Sequence, residues 1–181
     1  MNSTFHEVHV APASAALLES LALHDYSFTV TEEVQAAFDR PIDACLQAVE
    51  PYEKAYFNQP QQFSAYLDSL DGALFVAHFA EQAAGYLAIS RHWNGLALVE
   101  DIAVERNQRH CGCGQALMAA GIRWAHEQGL AGLMLETQSN NVAACRFYER
   151  QGFELGGIDR CLYRGLHSRR AETALFWYLW F

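Results

Sequence analysis

Residues 106–117, RNQRHCGCGQAL, decide the fold of this 181-residue sequence, because they join an alternating strand pattern to a helical one. Gly112 and Gly114 open the predicted helix. Glycine lets the backbone come close to a ligand, and the free N–H groups of a first helical turn attract an anion. The stretch is therefore a candidate cradle for a pyrophosphate, although glycines that only tighten a strand-to-helix turn give the same pattern.

A zinc site, a Walker loop and a dinucleotide-binding loop each need a residue that this stretch lacks. Cys111 and Cys113 are spaced C-x-C, and no second cysteine pair or His-x-x-x-His lies nearby to complete a four-ligand zinc site. A Walker loop needs Gly-Lys-Ser/Thr, but Gln115 follows Gly114. A dinucleotide fingerprint needs a third glycine where Leu117 stands. We therefore predict neither a metal site nor a disulfide.

The sequence on both sides of this stretch predicts a sheet flanked by helices. The predicted elements are, in chain order, strands at 73–80, 83–93 and 94–104, a helix at 112–128, a strand at 132–138, a helix at about 142–151 and strands at 157–165 and 172–181. Residues 26–60 give no consistent period, and the stretch 40–60, with three of the four prolines, is predicted to be irregular. We predict one α/β domain over residues 1–181, with a mixed, largely antiparallel sheet of six to seven strands.

Composition limits the partners. The chain has 12 basic and 21 acidic residues and a net charge of -9, which disfavours nucleic acid and favours a cationic small molecule or peptide. Its five cysteines are irregularly spaced and no signal-peptide pattern precedes them, so we expect a cytoplasmic protein. No apolar run reaches the roughly 18 residues that cross a bilayer. The apolar C-terminal strand fits a monomer core or a homodimer seam equally well.

Two motifs give the sequence a specific resemblance. R-x-x-G-x-G falls on Arg109, Gly112 and Gly114. The downstream motif N-x-x-A-x-x-x-Y-x-x-x-G-F falls on Asn141, Ala144, Tyr148, Gly152 and Phe153. In this order they resemble the acetyl-CoA site of the GNAT superfamily of N-acetyltransferases. The resemblance spans roughly residues 73–181 and implies the GNAT fold and acetyl-CoA as the cofactor.

A narrower resemblance concerns the acceptor. The segments HWNGLALVEDIAV, LETQSNNVAAC, GFELGGID and ETALFWYLWF are similar to those of streptothricin acetyltransferases. This similarity implies an enzyme that acetylates a primary amine, the β-lysine moiety, of a streptothricin-type antibiotic and so confers resistance. Two alternatives remain: a GNAT enzyme for a polyamine, another aminated drug or a protein N-terminus, and a non-catalytic domain that binds acetyl-CoA.

The resemblance also implies which residues bind the cofactor. Backbone groups of the strand end contact the pantetheine arm, and one of their N–H groups polarises the thioester carbonyl. The implied cofactor-binding residues are Ile102, Ala103 and Val104 on the strand, Arg109, His110, Cys111, Gly112, Cys113 and Gly114 at the pyrophosphate, and Asn141 and Ala144 on the next helix. The Arg109 side chain either adds charge-assisted contacts or is a solvated surface group.

Catalysis needs a group near the leaving sulfur and a proton acceptor. The resemblance places Tyr148 beside the CoA sulfur, where it hydrogen-bonds the developing thiolate; the alternative is an aromatic residue that only packs. A primary amine is mostly ammonium at pH 7 and must lose a proton before it attacks. Glu100 is our candidate base, through water, and Asp101 and Glu136 are substrate anchors or structural hydrogen-bonding groups.

Strand alternation bears on these carboxylates. It predicts that Glu100 shares a strand face with Ile102 and Val104, while Asp101 points to the opposite face. Further candidates for the amine pocket are Trp93, Asn94 and Tyr163, although aromatic residues at strand ends usually serve the core. The presence of Tyr148 and of the strand carboxylates argues against a non-catalytic domain.

Overall fold

A computed structural model of the chain describes residues 7–166 and 172–181. The strands are β1 Val8–Pro12, β2 Phe28–Val34, β3 Leu46–Lys54, β4 Gly72–Phe79, β5 Gln82–Arg91, β6 Ala97–Val104, β7 Gly132–Gln138, β8 Glu154–Asp159 and β9 Ala174–Trp180. The helices are α1 Ala15–Leu21, α2 Cys113–Glu127 and α3 Val142–Arg150, with short 3-10 helices at Ile42–Ala44, Pro60–Tyr66 and Arg106–Gln108. None of the helices in the described ranges is both long and apolar enough to cross a bilayer.

The chain divides into two compact units. The first unit contains Met1–Ser27 and Ala55–Ala131, and the second contains Phe28–Lys54 and Gly132–Phe181. The single domain over residues 1–181 stays a prediction.

The first unit is an antiparallel sheet with strand order β1-β4-β5-β6 and a helix on each face. On one face, Leu18 and Leu21 of α1 pack into a buried cluster with Tyr86 of β5. On the other face lies α2, which buries its predicted apolar side. Gly121 allows the close approach of this helix, because a Cβ there would lie 2.8 Å from the Leu87 side chain. The two helices therefore hold β6, with its polar residues, on a rigid support.

The second unit combines the antiparallel strands β7-β9-β8 with a two-stranded ribbon, β2-β3. The irregular chain predicted for residues 40–60 is wrong in part, since β3 occupies Leu46–Lys54. The pairing jumps from Val30 opposite Tyr52 to Glu32 opposite Ala48. Pro51 lies in that irregularity, where its missing N–H costs no ladder bond, because proline is tolerated in strands at bulges.

A partly buried ion pair ties the ribbon to the rest of the second unit. Lys54 Nζ lies 2.7 Å from Glu172 Oε1, and the two side chains are 13% and 9% exposed. The Asn140 amide donates to Glu172 at 3.4 Å and to the Tyr52 hydroxyl at 3.1 Å. The ion pair and the amide hydrogen bond on Oε1 offset part of the cost of moving these charges away from water.

Candidate active site

Strand β6 carries a one-residue bulge at Glu100. Asp101 lies opposite Ala88 of β5 and Val99 lies opposite Ile89, so Glu100 is the extra residue between two consecutive pairs. A bulge leaves its extra residue without a partner and breaks the alternation of side chains along the strand. The bulge therefore resets which face each following side chain meets.

Two hydroxyl groups hold the Glu100 carboxylate. The Tyr66 hydroxyl donates to Oε1 at 3.0 Å, and Ser90 Oγ donates to the same oxygen at 2.6 Å. Ser90 is 9% exposed, whereas Glu100 is exposed. Within the described chain, no hydrogen bond reaches Oε2. Glu100 is thus a surface carboxylate with one oxygen fixed and the other accessible.

Asp101 is in a drier environment. Asn58 Nδ2 donates to both of its oxygens, at 3.2 and 3.0 Å, and the Tyr86 hydroxyl donates to Oδ2. Burial raises the pKa of the Asp101 carboxyl, while the hydrogen bonds from Tyr86 and Asn58 oppose that rise. Both carboxylate oxygens are therefore already engaged by internal donors.

The two carboxylates lie on the same face of the sheet. Ser90, which holds Glu100, and Tyr86, which holds Asp101, are four residues apart on β5 and so share a face, the one that packs on α1. The prediction that Glu100 and Asp101 point to opposite faces is wrong. Its physical cause is the bulge, because the extra residue turns Glu100 away from the face of Ile102.

Sequence reasoning missed the four donors around these carboxylates: Asn58, Tyr66, Tyr86 and Ser90. Two of them left a signal, since Tyr86 and Ser90 are polar residues at spacing four in an otherwise apolar strand. Asn58 and Tyr66 lie in a stretch without periodicity, so nothing local indicated that they would reach β6.

The loop after β6 leads into α2 without a side-chain cap. Gly112 is the N-cap residue, has φ +90°, and has no side chain to cap the helix; the first turn holds no acidic residue. The first intrahelical bond runs from Ala116 N to Gly112 O, at 3.0 Å, so the preceding N–H groups have no partner within the helix. The helix has 15 residues, and its first turn has no cap. Such a helix start suits the binding of a diphosphate group.

The Arg109 side chain is directed inward, to the main chain. Its Nε donates to Val104 O at 3.2 Å and its Nη2 donates to Tyr26 O at 2.8 Å. The guanidinium therefore ties the loop to the end of β6 and to the segment after α1. This contact was not among the two roles expected from the sequence, and a contact with phosphate stays a prediction.

The remaining loop residues differ in exposure. His110 has φ +65° and is exposed, as is Cys111. Cys113 is buried, and burial raises the pKa of its thiol. All five cysteines lie in described parts of the chain and are free thiols. The loop thus turns through left-handed backbone at His110 and Gly112 and then buries Cys113 as the first residue of α2.

The strand residues expected to meet the cofactor pair with β5. Ile102 lies opposite Leu87, Ala103 opposite Tyr86, and Val104 opposite Gly85. Ala103 is buried in the cluster against α1. These residues lie between the bulge and the α2 loop, and their contact with a cofactor stays a prediction.

Trp93 and Asn94 lie at the opposite end of the first unit from Gly112. They form the turn between β5 and β6, where Asn94 Oδ1 accepts from Leu96 N at 3.0 Å and Trp93 is 90% exposed. Ala131, just beyond α2, donates to Gly95 O of the same turn at 3.1 Å. Since α2 is about 22 Å long, the structure does not bring Trp93 and Asn94 together with the loop.

Tyr148 lies in the second unit, on the buried side of α3, and is 6% exposed. Its ring centroid is 5.5 Å from Phe147, 5.8 Å from Phe153 and 6.2 Å from Trp177. Aromatic rings at these separations stabilise one another by about 0.5–1.5 kcal/mol per pair. The ring is therefore closely packed. This packing is compatible with a structural role and with a catalytic role of Tyr148.

Glu136 and Tyr163, both predicted in the amine pocket, are brought together in the second unit. Burial raises the pKa of the Glu136 carboxyl, and a hydrogen bond from Tyr163 opposes that rise. Glu136 Oε1 is buried and has no hydrogen-bond partner among the described residues. Glu136 therefore retains an unfilled acceptor site.

Asn141 and Ala144 form the N-cap of α3. Asn141 Oδ1 accepts from Ala144 N at 3.1 Å, which satisfies one N–H group of the first turn. This capped start contrasts with the uncapped start of α2. Contact of Asn141 and Ala144 with a cofactor stays a prediction.

Comparisons with known proteins identify the family of the chain. The acetyltransferase (GNAT) family model matches residues 36–153. The chain is 35% identical over 170 residues to streptothricin acetyltransferase A of Bacillus subtilis (strain 168), covering 90% of this chain and 98% of the relative. It is 34% identical over 143 residues to streptothricin acetyltransferase of Escherichia coli, covering 79% and 78%.

A solved structure extends the likeness to three dimensions. It is a protein from Bacillus anthracis str. Ames, assigned as a streptothricin acetyltransferase, in complex with acetyl coenzyme A. The TM-score is 0.87 at 34% identity, over 97% of this chain and 100% of that chain.

Proposed function

The chain belongs to the acetyltransferase (GNAT) family, and we propose that it acetylates a primary amine, the β-lysine moiety, of a streptothricin-type antibiotic. Its fold is the GNAT fold and its acetyl donor is acetyl-CoA. What we propose is the identity of the acceptor. The observation that supports it is the 35% sequence identity to streptothricin acetyltransferase A, in an alignment that covers 98% of that enzyme's length.

The uncapped start of α2 supports the donor site. Acetyl-CoA, when bound, supplies a thioester that an amine can attack. The N–H groups from Arg109 to Gly114 would hold its diphosphate, and the backbone of Ile102, Ala103 and Val104 would hold the pantetheine arm. Arg109, bonded to Val104 O and Tyr26 O, would fix the position of the loop relative to the end of β6.

The acceptor amine must be deprotonated by the protein. With a pKa near 10.4, roughly one amine in a few thousand is neutral at pH 7. Glu100 is suited to take the proton, directly or through water, because its Oε2 is accessible. Asp101 already accepts hydrogen bonds from Asn58 and Tyr86. Its role would therefore be to hold the neighbouring backbone in place and not to bind the substrate.

The family resemblance assigns further roles to Tyr148, Glu136 and Tyr163, which we include in the proposal. Tyr148 would donate a hydrogen bond to the leaving sulfur. Glu136 and Tyr163 would receive a second cationic group of the acceptor, since Glu136 Oε1 is an unfilled acceptor site. Trp93 and Asn94 would contribute only if a long acceptor reached the β5-β6 turn.

The charge of the molecule is consistent with this acceptor. A net charge of -9 attracts a polycationic drug. Acetylation removes one positive charge from the drug, and drugs directed at RNA depend on such charges for affinity. Resistance would follow from that loss.

A substrate panel tests the proposal. Acetyl-CoA consumption is measured with streptothricin, spermidine, an aminoglycoside and a peptide with a free N-terminus. We expect turnover with streptothricin to exceed the others by at least about 100-fold in kcat/KM, a difference of about 2.7 kcal/mol. Turnover confined to spermidine or to the peptide would refute the acceptor, and acetyl-CoA binding without transfer to any amine would indicate a non-catalytic domain.

A further inference from the structure

Glu100 is the proposed base, but an exposed carboxylate on a flexible side chain is a poor base unless something fixes it. Three observations in the first unit bear on this: the two hydrogen bonds to Oε1, the packing of the Tyr66 ring, and a glycine beneath that ring.

The ring of Tyr66 lies against the sheet at Gly72. A Cβ at Gly72 would stand 2.6 Å from Tyr66 Cδ1, so only glycine leaves room for the ring there. Gly72 pairs with Ser90 across β4 and β5. The glycine therefore brings the Tyr66 hydroxyl next to Ser90 Oγ, and both reach the same oxygen of Glu100.

The second face of the Tyr66 ring is packed as well. Phe63, in the same 3-10 helix, stacks on it with centroids 5.9 Å apart and an interplanar angle of 29°. Burial raises the pKa of the Tyr66 hydroxyl, so the group remains a donor at neutral pH. Ser90 is nearly buried in β5. Both donors are thus held in place before any substrate arrives.

We propose that Tyr66 and Ser90 are positioning residues that fix Glu100 Oε1 and leave Oε2 to accept the proton of the acceptor ammonium, with Gly72 as the floor for the Tyr66 ring. In the step, the N–H bond of the ammonium breaks and an O–H bond forms on Oε2. The neutral amine keeps the electron pair with which it attacks the thioester, and the carboxyl later returns the proton to water. This inference rests on the proposed acetyl transfer but not on the identity of the drug.

The groups that face Glu100 define what each variant removes. Tyr66 on the 3-10 helix side and Ser90 on β5 each donate to Oε1, and the neighbouring Asp101 is bonded to Asn58 and Tyr86. Loss of either donor should let the Glu100 side chain leave the position from which Oε2 meets the acceptor.

The experiment compares Tyr66→Phe, Ser90→Ala and the double variant with Tyr178→Phe, a tyrosine change on β9 of the second unit. Rates are measured with whichever amine the wild-type enzyme acetylates best, so failure of the streptothricin proposal does not affect this test. We expect kcat to fall about 10-fold in each single variant with KM for acetyl-CoA unchanged, and Ser90→Thr, which keeps the hydroxyl, to retain the wild-type rate. Tyr178→Phe should match the wild type.

A spectroscopic readout separates positioning from folding. The Glu100 carboxyl carbon is followed by NMR at one fixed pH in the wild type, Tyr66→Phe and Ser90→Ala, using Glu100→Gln to assign the signal. A changed chemical shift in both variants, together with the loss of kcat, supports the inference. An unchanged signal in both variants, or an equal loss of rate in Ser90→Thr and Ser90→Ala, would overturn it even if no drug were turned over.

Discussion

Gly112 combines two properties at the start of α2: left-handed backbone with φ +90° and the absence of a side chain where a diphosphate would lie. We predict that Gly112→Val abolishes measurable acetyl-CoA binding in isothermal titration calorimetry. A Cβ in left-handed backbone costs about 1–2 kcal/mol, so some stability is lost as well.

The chain offers a matched control at the other end of the same helix. Gly129 has φ +65° and open space around its missing Cβ. Gly129→Val should bear a similar backbone cost while acetyl-CoA binds normally. Equal loss of binding in both variants would mean that helix destabilisation, and not the phosphate site, explains the result.

At Tyr148 the question is whether the hydroxyl or the ring matters. Tyr148→Phe keeps the ring that packs on Phe153 and Trp177. We predict that kcat falls roughly 100-fold while acetyl-CoA affinity changes little, because the donor to the leaving sulfur is lost and the packed ring remains. Steady-state kinetics measures kcat, and calorimetry measures acetyl-CoA affinity. An unaltered kcat would mean that Tyr148 only packs.

Single residues also show where sequence reasoning stops. Strand alternation is a period of two, and it cannot reveal a bulge, so it gave the wrong face for Glu100. The roles open to Arg109 were a phosphate contact or a solvated group, whereas its actual partners are carbonyls at positions 26 and 104. Glycine and asparagine at helix starts were easier to place, because their backbone and capping preferences act locally.

Among the elements, α3 allows its cap to be separated from cofactor binding. Asn141→Ala should lower the free energy of unfolding by about 1 kcal/mol, because the hydrogen bond to Ala144 N is lost. Asn141→Asp keeps a capping oxygen and should retain that stability. Urea unfolding of both variants tests the cap.

Acetyl-CoA affinity in the same pair then tests the site. If Asn141 acts only as a cap, Asn141→Asp binds acetyl-CoA like the wild type. A large loss of affinity in the aspartate variant, with stability intact, would instead indicate a direct contact that a negative charge disrupts.

Elements with a clear period were predictable, and those held by tertiary contacts were not. The periodic apolar faces of α2 and α3 and the β4-β5-β6 meander were readable from the sequence. Strand β3 was not, because it contains Pro51 and many charged residues and is fixed by pairing with β2 and by the Lys54–Glu172 ion pair. Such distant contacts leave no local signal.

For the molecule as a whole, the buried carboxylates predict a pH dependence of stability. Burial raises the pKa of Asp101 and Glu136, so the folded state binds protons more tightly than the unfolded chain. Their contribution is fully present below the ordinary values of 3.8 and 4.5 and is lost as pH rises through the raised values.

Asp101→Asn isolates one of these contributions. Free energies of unfolding in urea, measured between pH 4 and 7, should fall less steeply with pH in Asp101→Asn than in the wild type, whatever the variant's absolute stability. The exposed Asp25, whose pKa is lowered mainly by hydrogen bonds with Ser27, acts in the opposite direction but equally in both proteins. Parallel curves would contradict the assignment of a raised pKa to Asp101.

The bulge on β6 also has an evolutionary consequence. Substitutions leave the phase of a strand intact, whereas removal of a residue next to Glu100 would restore a regular ladder and turn the proposed base away from Tyr66 and Ser90. Insertions and deletions at this point of β6 should therefore be far rarer than substitutions among related transferases.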